Sequence, residues 1–167
     1  MFNSSIIPGI PFDNENVLTS KTALDLEKIP RSLLVIGGGY IGLEIGSYLA
    51  KLGTQVDILE AGEALLAAVA EKDVAQVVAR KLKKDGINVH LKAKAQSYKK
   101  SGSSLEVIAD VNGASKKFKA EKILVTVGRK PNSDQMNIKG IGLGLDDRGF
   151  IKVDAQRRTT QSNIYAI

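Results

Sequence analysis

Residues 32–46 read SLLVIGGGYIGLEIG. An apolar β-type run (Leu33, Leu34, Val35, Ile36) feeds a Gly-x-Gly-x-x-Gly turn at Gly37, Gly39 and Gly42, and an amphipathic helical pattern follows at once. A bare glycine match is weak evidence, but strand, turn and helix in this order make the dinucleotide-binding fingerprint. Each glycine has a separate physical role. Gly37 permits the tight turn, Gly39 lets backbone approach a pyrophosphate, and Gly42 lets the helix pack closely on the strand. The turn Gly37, Gly38, Gly39, Tyr40, Ile41, Gly42 is then the expected phosphate cradle, since the first N–H groups of a helix and its dipole favour an anion.

Working outward, the helix should run over residues 40–52 and close at Gly53, and QVDIL at 55–59 is a second strand. Strand, helix and strand imply a right-handed crossover into a parallel pair. Glu60 ends that second strand, eighteen residues beyond Gly42. That is close to the roughly 20 expected for the acid that accepts hydrogen bonds from the adenine ribose hydroxyls. A carboxylate there favours NAD and repels the 2′-phosphate of NADP, and no arginine occurs between Ala61 and Val69 to clamp such a phosphate. Glu44 lies in the first turns of the phosphate-binding helix, where a negative charge suits the dipole. Gly46 extends the glycine spacing and lets the helix lie near the sheet.

The pattern predicts a helix over 71–84, with Val74, Val77, Val78 and Leu82 at helical spacing and Gly86 as its stop. Residues 87–91 read as the third parallel strand. Three short β-prone stretches follow (94–99, 105–111 and 116–120), separated by Ser101–Gly102 and by Asn112–Gly113, a hairpin signal. ILVTV at 123–127 resumes the sheet and ends at Gly128, a carboxyl-end position where ligands of open α/β sheets sit. The expected fold is α/β: a Rossmann-like three-layer domain with a central parallel sheet and a small antiparallel β-meander. Residues 1–31 form an extended lead-in with a short helix capped by Thr19 or Ser20, 32–130 the NAD-binding domain (meander about 94–120), and 131–167 a C-terminal segment. Short strands are expected near 150–153 and at 164–167, and a strand at the very end with no helix after it reads as a domain cut from something longer.

The composition excludes several classes. With no cysteine among 167 residues there is no disulfide framework, thiolate metal site or redox dithiol in this stretch, which is compatible with a cytoplasmic setting. The formal charge of +6 comes from dispersed lysines, with Tyr98 alone among them as a stacking aromatic, so a solvated basic surface is the better reading than nucleic-acid binding. His90 alternates with Val89 and Leu91 on a strand and has no second histidine or cysteine for a metal site, so its role is structural. No catalytic set and no metal-ligand spacing can be assembled.

Three spaced motifs, VIGGGYIGLEIGSYLAKLGTQVDILE (35–60), ILVTVGRKPN (123–132) and DDRGFIKVDAQRRTTQSNIYAI (146–167), together resemble the pyridine-nucleotide-disulfide oxidoreductases, most closely their dihydrolipoamide (dihydrolipoyl) dehydrogenase branch. The resemblance covers nearly the whole chain, including the lead-in PGIPFDNENVLTS. It implies a longer parent with an FAD domain, this inserted NAD domain and a C-terminal dimerisation domain, in which electrons pass from dihydrolipoamide through a cysteine pair and FAD to NAD. The cysteine pair and the His–Glu base of the family do not occur in this stretch, and the Gly-Asp that binds the flavin's ribityl chain would come directly after Ile167. The resemblance places Glu44 near the nicotinamide and Gly128 beside the cofactor, and it implies a dimer partner and a 2-oxo acid dehydrogenase complex. The glutathione-reductase branch usually has alanine at the third glycine and arginines for NADP, so Gly42 and Glu60 point to the NAD-using branch. Ala70–Glu71 stands where relatives carry an aspartate. The alternatives are the NAD domain of an NADH oxidase, mercuric reductase or similar flavoprotein, and a stand-alone NAD-binding module without chemistry of its own.

Overall fold

The structure is a computed structural model that describes residues 2–13, 15–67, 69–133, 137–138 and 140–167, with backbone alone at Phe2 and Asn3. The expected lead-in and C-terminal segment therefore include positions (Met1, Asn14, 134–136 and Lys139) that lie outside the described residues. The first elements are β1 (Phe2–Ser4), β2 (Val17–Leu18), α1 (Ser20–Leu24), β3 (Ser32–Ile36), α2 (Tyr40–Lys51), β4 (Gln55–Leu59) and α3 (Lys72–Lys84). Then come β5 (Asn88–His90), β6 (Ala93–Ser101), β7 (Ser104–Val111), β8 (Ala114–Ala120), β9 (Lys122–Val125) and β10 (Arg129–Pro131). The chain forms two compact units, one of Ile6–Gly128 and one of Met1–Ser5 with Arg129–Ile167.

Within Ile6–Gly128, a five-stranded sheet has the order β2-β9-β3-β4-β5, with every neighbouring pair parallel. Its faces explain the unbroken apolar run at 33–36, because a central parallel strand covered on both sides has no solvent-facing positions. Leu33, Val35, Val56, Ile58 and Leu124 pack with Leu43, Ile45 and Leu49 of α2 and Leu82 of α3. Leu34, Ile36, Leu59, Ile123 and Val125 pack instead with Leu105, Val107, Ala109 and Val111 of β7. The antiparallel sheet β6-β7-β8 is thus the third layer, as expected, and each large side chain sealed between layers contributes about 1.5–3 kcal/mol. Lys99 and Lys117 on its outer face flank the carboxylate of Glu106 at 3.4 and 3.3 Å, so part of the basic surface is internally compensated.

The flanking elements add detail to the sequence reading and, in α3, depart from it. The lead-in contains an edge strand, since Val17 and Leu18 pair in parallel with Ile123 and Leu124. The Asp13 carboxylate sets up that strand by accepting from the N–H groups of Glu15, Asn16 and Val17 at 3.0, 2.6 and 2.7 Å. Thr19 caps α1 through a reciprocal box with Thr22. In α3 the buried residues are Ala75 and Leu82, with Val78 and Ala79 half-buried, whereas Val74 and Val77 are exposed. The helix lies over the edge strand β5, so only a narrow stripe of it meets the sheet.

In the second unit β1 pairs antiparallel with β10. The strands expected near 150–153 and 164–167 are single bridges, Leu145 with Ile151 and Arg158 with Tyr165. The cause is local: Asp146 accepts from the N–H groups of Arg148 and Phe150, and Asp154 from those of Gln156 and Arg158. Each aspartate folds the chain into a tight loop before a ladder can extend.

Candidate dinucleotide site

The turn 37–42 lies at the carboxyl end of β3, where the chain leaves for β4 on one side while β9 pairs on the other. This is the switch point at which open parallel sheets bind ligands. Gly37 has φ +112°, a region that favours glycine, and a Cβ there would lie 2.8 Å from the Thr126 carbonyl oxygen. A Cβ on Gly42 would overlap the Gly37 carbonyl oxygen and stand 2.6 Å from Thr126 Oγ1 and 2.9 Å from Val35 Cγ1, so this glycine sets the approach of α2 to β3. Gly46 is looser, with Val35 at 3.4 Å and Val56 at 3.5 Å from the same probe position.

Gly39 differs from these. It is the N-cap of α2 with extended backbone (φ −78°, ψ 171°), no side chain caps the helix, and a Cβ there would meet nothing within 4 Å. The fold does not require glycine at this position; open space lies before it, faced by the first N–H groups of α2 (Tyr40, Ile41). Unpaired backbone N–H groups at a helix start beside open space are the features by which such turns can hold an anion.

Glu60 closes the other side. Gly38 N–H donates to Glu60 Oε2 at 2.7 Å and Gly62 N–H donates to Oε1 at 2.6 Å. The carboxylate therefore stands against the turn, and it ties the turn to the loop after β4. Gly38 is needed for this contact, since a Cβ there would lie 2.5 Å from Leu65 Cδ2 and 2.9 Å from Glu60 Oε2. Leu66, at φ +57°, donates its N–H to the Gly38 carbonyl at 3.0 Å, so the 61–67 loop drapes over the turn.

Sequence reasoning missed Thr126. Its N–H donates to the Ile36 carbonyl at 2.8 Å, and its hydroxyl lies 3.2 Å from the Gly37 carbonyl and 3.3 Å from that of Ile36. It holds the inner side of the turn as Glu60 holds the outer side. A polar residue inside the ILVTV run was the available signal. Gly128, two residues on, has φ +140°.

Glu44 is brought to the same helix but not into the cradle. It is exposed and belongs to the second turn of α2, sharing a face with exposed Tyr40 and Tyr48. A dipole effect confined to the first turn reaches it weakly. Beside the site, Lys92 Nζ pairs with Glu63 Oε1 at 2.8 Å. The hydrogen bond from Lys92 and then its charge, with a smaller contribution from the charge of Lys72, lower the Glu63 carboxyl despite some desolvation. The His90 side chain has structural partners: its Nε2 is 2.9 Å from Asp57 Oδ1 and its ring meets Phe118 edge-on at 4.8 Å. Among the described residues no His, Cys, Asp or Glu cluster could hold a metal ion, and no helix is long and apolar enough to cross a membrane.

Comparison with known proteins decides the lineage. The family model described as pyridine nucleotide-disulphide oxidoreductase matches residues 3–167. The chain belongs to this family. Curated relatives include the dihydrolipoyl dehydrogenases of Geobacillus stearothermophilus (42% identical over 161 residues, 96% of this chain and 34% of the relative) and Bacillus subtilis strain 168 (43% over 155 residues, 92% and 33%). The chain thus spans about a third of the length of the curated relatives it matches. Among solved structures, a Cu(II) complex of the HOCl-induced flavoprotein disulfide reductase RclA from Escherichia coli matches with TM-score 0.87 at 27% identity, covering 99% of this chain and 37% of that one. LpdA from Mycobacterium tuberculosis matches with TM-score 0.87 at 25% identity, covering 98% and 35%. The Rossmann-like core and the meander are therefore those of flavoprotein disulfide reductases in this oxidoreductase family.

Proposed function

We propose that this chain is the NAD(H)-binding domain of an FAD-dependent dihydrolipoyl dehydrogenase, whose parent passes electrons from dihydrolipoamide through a disulfide and FAD to NAD. The observation that carries the reading is Glu60, a carboxylate held against the glycine turn by the N–H groups of Gly38 and Gly62. There its remaining lone pairs accept from the ribose hydroxyls and its charge opposes a 2′-phosphate. The backbone of Gly37, Gly38, Gly39, Tyr40, Ile41 and Gly42 cradles the pyrophosphate. Glu44, one turn along α2, stands toward the nicotinamide end, and Gly128 gives the cofactor close access to the chain after β9. NAD supplies the hydride-carrying ring, while FAD belongs mainly to the rest of the parent. With no cysteine in its 167 residues, the chain alone binds nucleotide and does not turn over dihydrolipoamide. In the parent its partners are the FAD domain, the dimer mate and a 2-oxo acid dehydrogenase complex.

Another flavoprotein disulfide reductase is the second reading for the parent, favoured by the TM-score of 0.87 to RclA. Calorimetric titration of the chain with NADH and NADPH tests the cofactor assignment. Tighter binding of NADH, with the preference lost in Glu60→Gln, is the expected result; equal affinity of the unmodified chain for both defeats the Glu60 argument.

A further inference from the structure

The absence of arginine between Ala61 and Val69 removes one source of cation near Glu60, but the fold supplies another from a distant segment. The link between β5 and β6 turns at Lys92, whose φ is +51°. Lys92 N–H donates to the Gly62 carbonyl at 2.9 Å, and Ala93 N–H donates to the Glu60 carbonyl at 2.9 Å. Because Gly62 N–H in turn donates to Glu60 Oε1 at 2.6 Å, the Lys92 backbone is tied to the same short loop that holds the Glu60 carboxylate. Its ammonium is held 2.8 Å from Glu63 Oε1, with the two side chains 52% and 83% exposed. A pair this exposed adds little to stability and stays within reach of a ligand from solvent. Its consequence is electrostatic: an unneutralised lysine here would attract a 2′-phosphate dianion and offset the repulsion from Glu60.

We propose that Glu63 holds and neutralises Lys92, and so completes the discrimination against 2′-phosphorylated dinucleotides that Glu60 begins. This rests on the reading of Glu60 as the ribose acceptor. The two residues work as a pair from different segments: Glu63 follows β4 and Lys92 precedes β6. Glu63→Gln releases the ammonium while keeping the side chain's size.

The test is calorimetric titration of the chain with NADH and with NADPH, for the unmodified protein, E63Q and the double variant E63Q/K92Q, with melting curves as a check on folding. In E63Q the ratio of the NADPH to the NADH dissociation constant should fall about fivefold, as one charge restored at close range dictates. The fall should shrink at raised salt and vanish in E63Q/K92Q. A ratio unchanged in E63Q, in a protein that otherwise prefers NADH, overturns this inference and leaves the Glu60 reading standing. A ratio that falls but stays low in E63Q/K92Q also overturns it, because Lys92 is then not the cation. An unmodified protein that binds neither nucleotide, or both equally, overturns the Glu60 reading and this inference together.

Discussion

Gly42 and Gly39 show how one turn contains two different demands for glycine. At Gly42 the demand is internal, since a Cβ would overlap the Gly37 carbonyl and crowd Thr126 Oγ1 at 2.6 Å. Gly42→Ala gains helix propensity of about 1 kcal/mol but overpacks a backbone contact at about 1–3 kcal/mol, so the clash wins. The variant should melt about 2–6 °C lower, read by thermal denaturation; an unchanged or raised melting temperature would mean that α2 is free to shift outward. At Gly39 the chain itself makes no demand, because the position is empty and its backbone suits any residue; on the proposed function the demand comes from the bound pyrophosphate. Sequence spacing names both glycines, and only the surrounding atoms separate their roles. Thr126 and Lys92 were harder to read: each acts on a segment about 30 or more residues away, and nothing in local pattern announces such a contact.

At the scale of elements, periodicity was legible where one force dominated. The run at 33–36 packs into two layers at once and could hardly be misread, and Asn112–Gly113 turns the meander with both residues at positive φ. Legibility failed where a side chain overrode propensity: Asp146 and Asp154 gather N–H groups into loops where short apolar runs suggested strands. Val74 and Val77 misled because apolar spacing marks a helical face but not how much of it a sheet edge can cover. Asp13 gathers N–H groups in the same way, but just ahead of β2, where it leads into a strand, and it gives a pH dependence. Desolvation alone would raise its carboxyl, but hydrogen bonds from the N–H groups of Val17, Asn16 and Glu15 and the Asn16 amide outweigh that and lower it. Its stabilising effect is therefore complete above the ordinary carboxylate range and is lost as pH falls through the lowered value. Unfolding by denaturant across pH 2–6 should show a flatter acid limb in Asp13→Asn than in the unmodified chain; identical slopes would mean that Asp13 does not govern the edge strand.

For the whole molecule, among the described residues, the buried members of the two clusters that cover the five-stranded sheet lie between Ile10 and Val125. Every site residue proposed for the cofactor also lies in Ile6–Gly128. A protein of residues 6–128 should therefore unfold cooperatively and bind NADH within about threefold of the full chain, since the site needs nothing beyond that unit. Loss of cooperative unfolding in that shortened chain would show that residues outside it hold the core together. The fold was legible at this scale because a parallel sheet needs crossovers, and strand, helix and strand leave few ways to connect them.

The glycine turn as a pyrophosphate cradle is the claim on which everything else rests, and Gly39→Val tests it most directly. Its side chain has open space in the folded chain, so melting should change by no more than about 1 kcal/mol in stability. Calorimetric titration of that variant with NADH should show affinity reduced by at least about tenfold, because the valine occupies the space the phosphates need. Unchanged NADH affinity in a folded Gly39→Val protein would contradict the account.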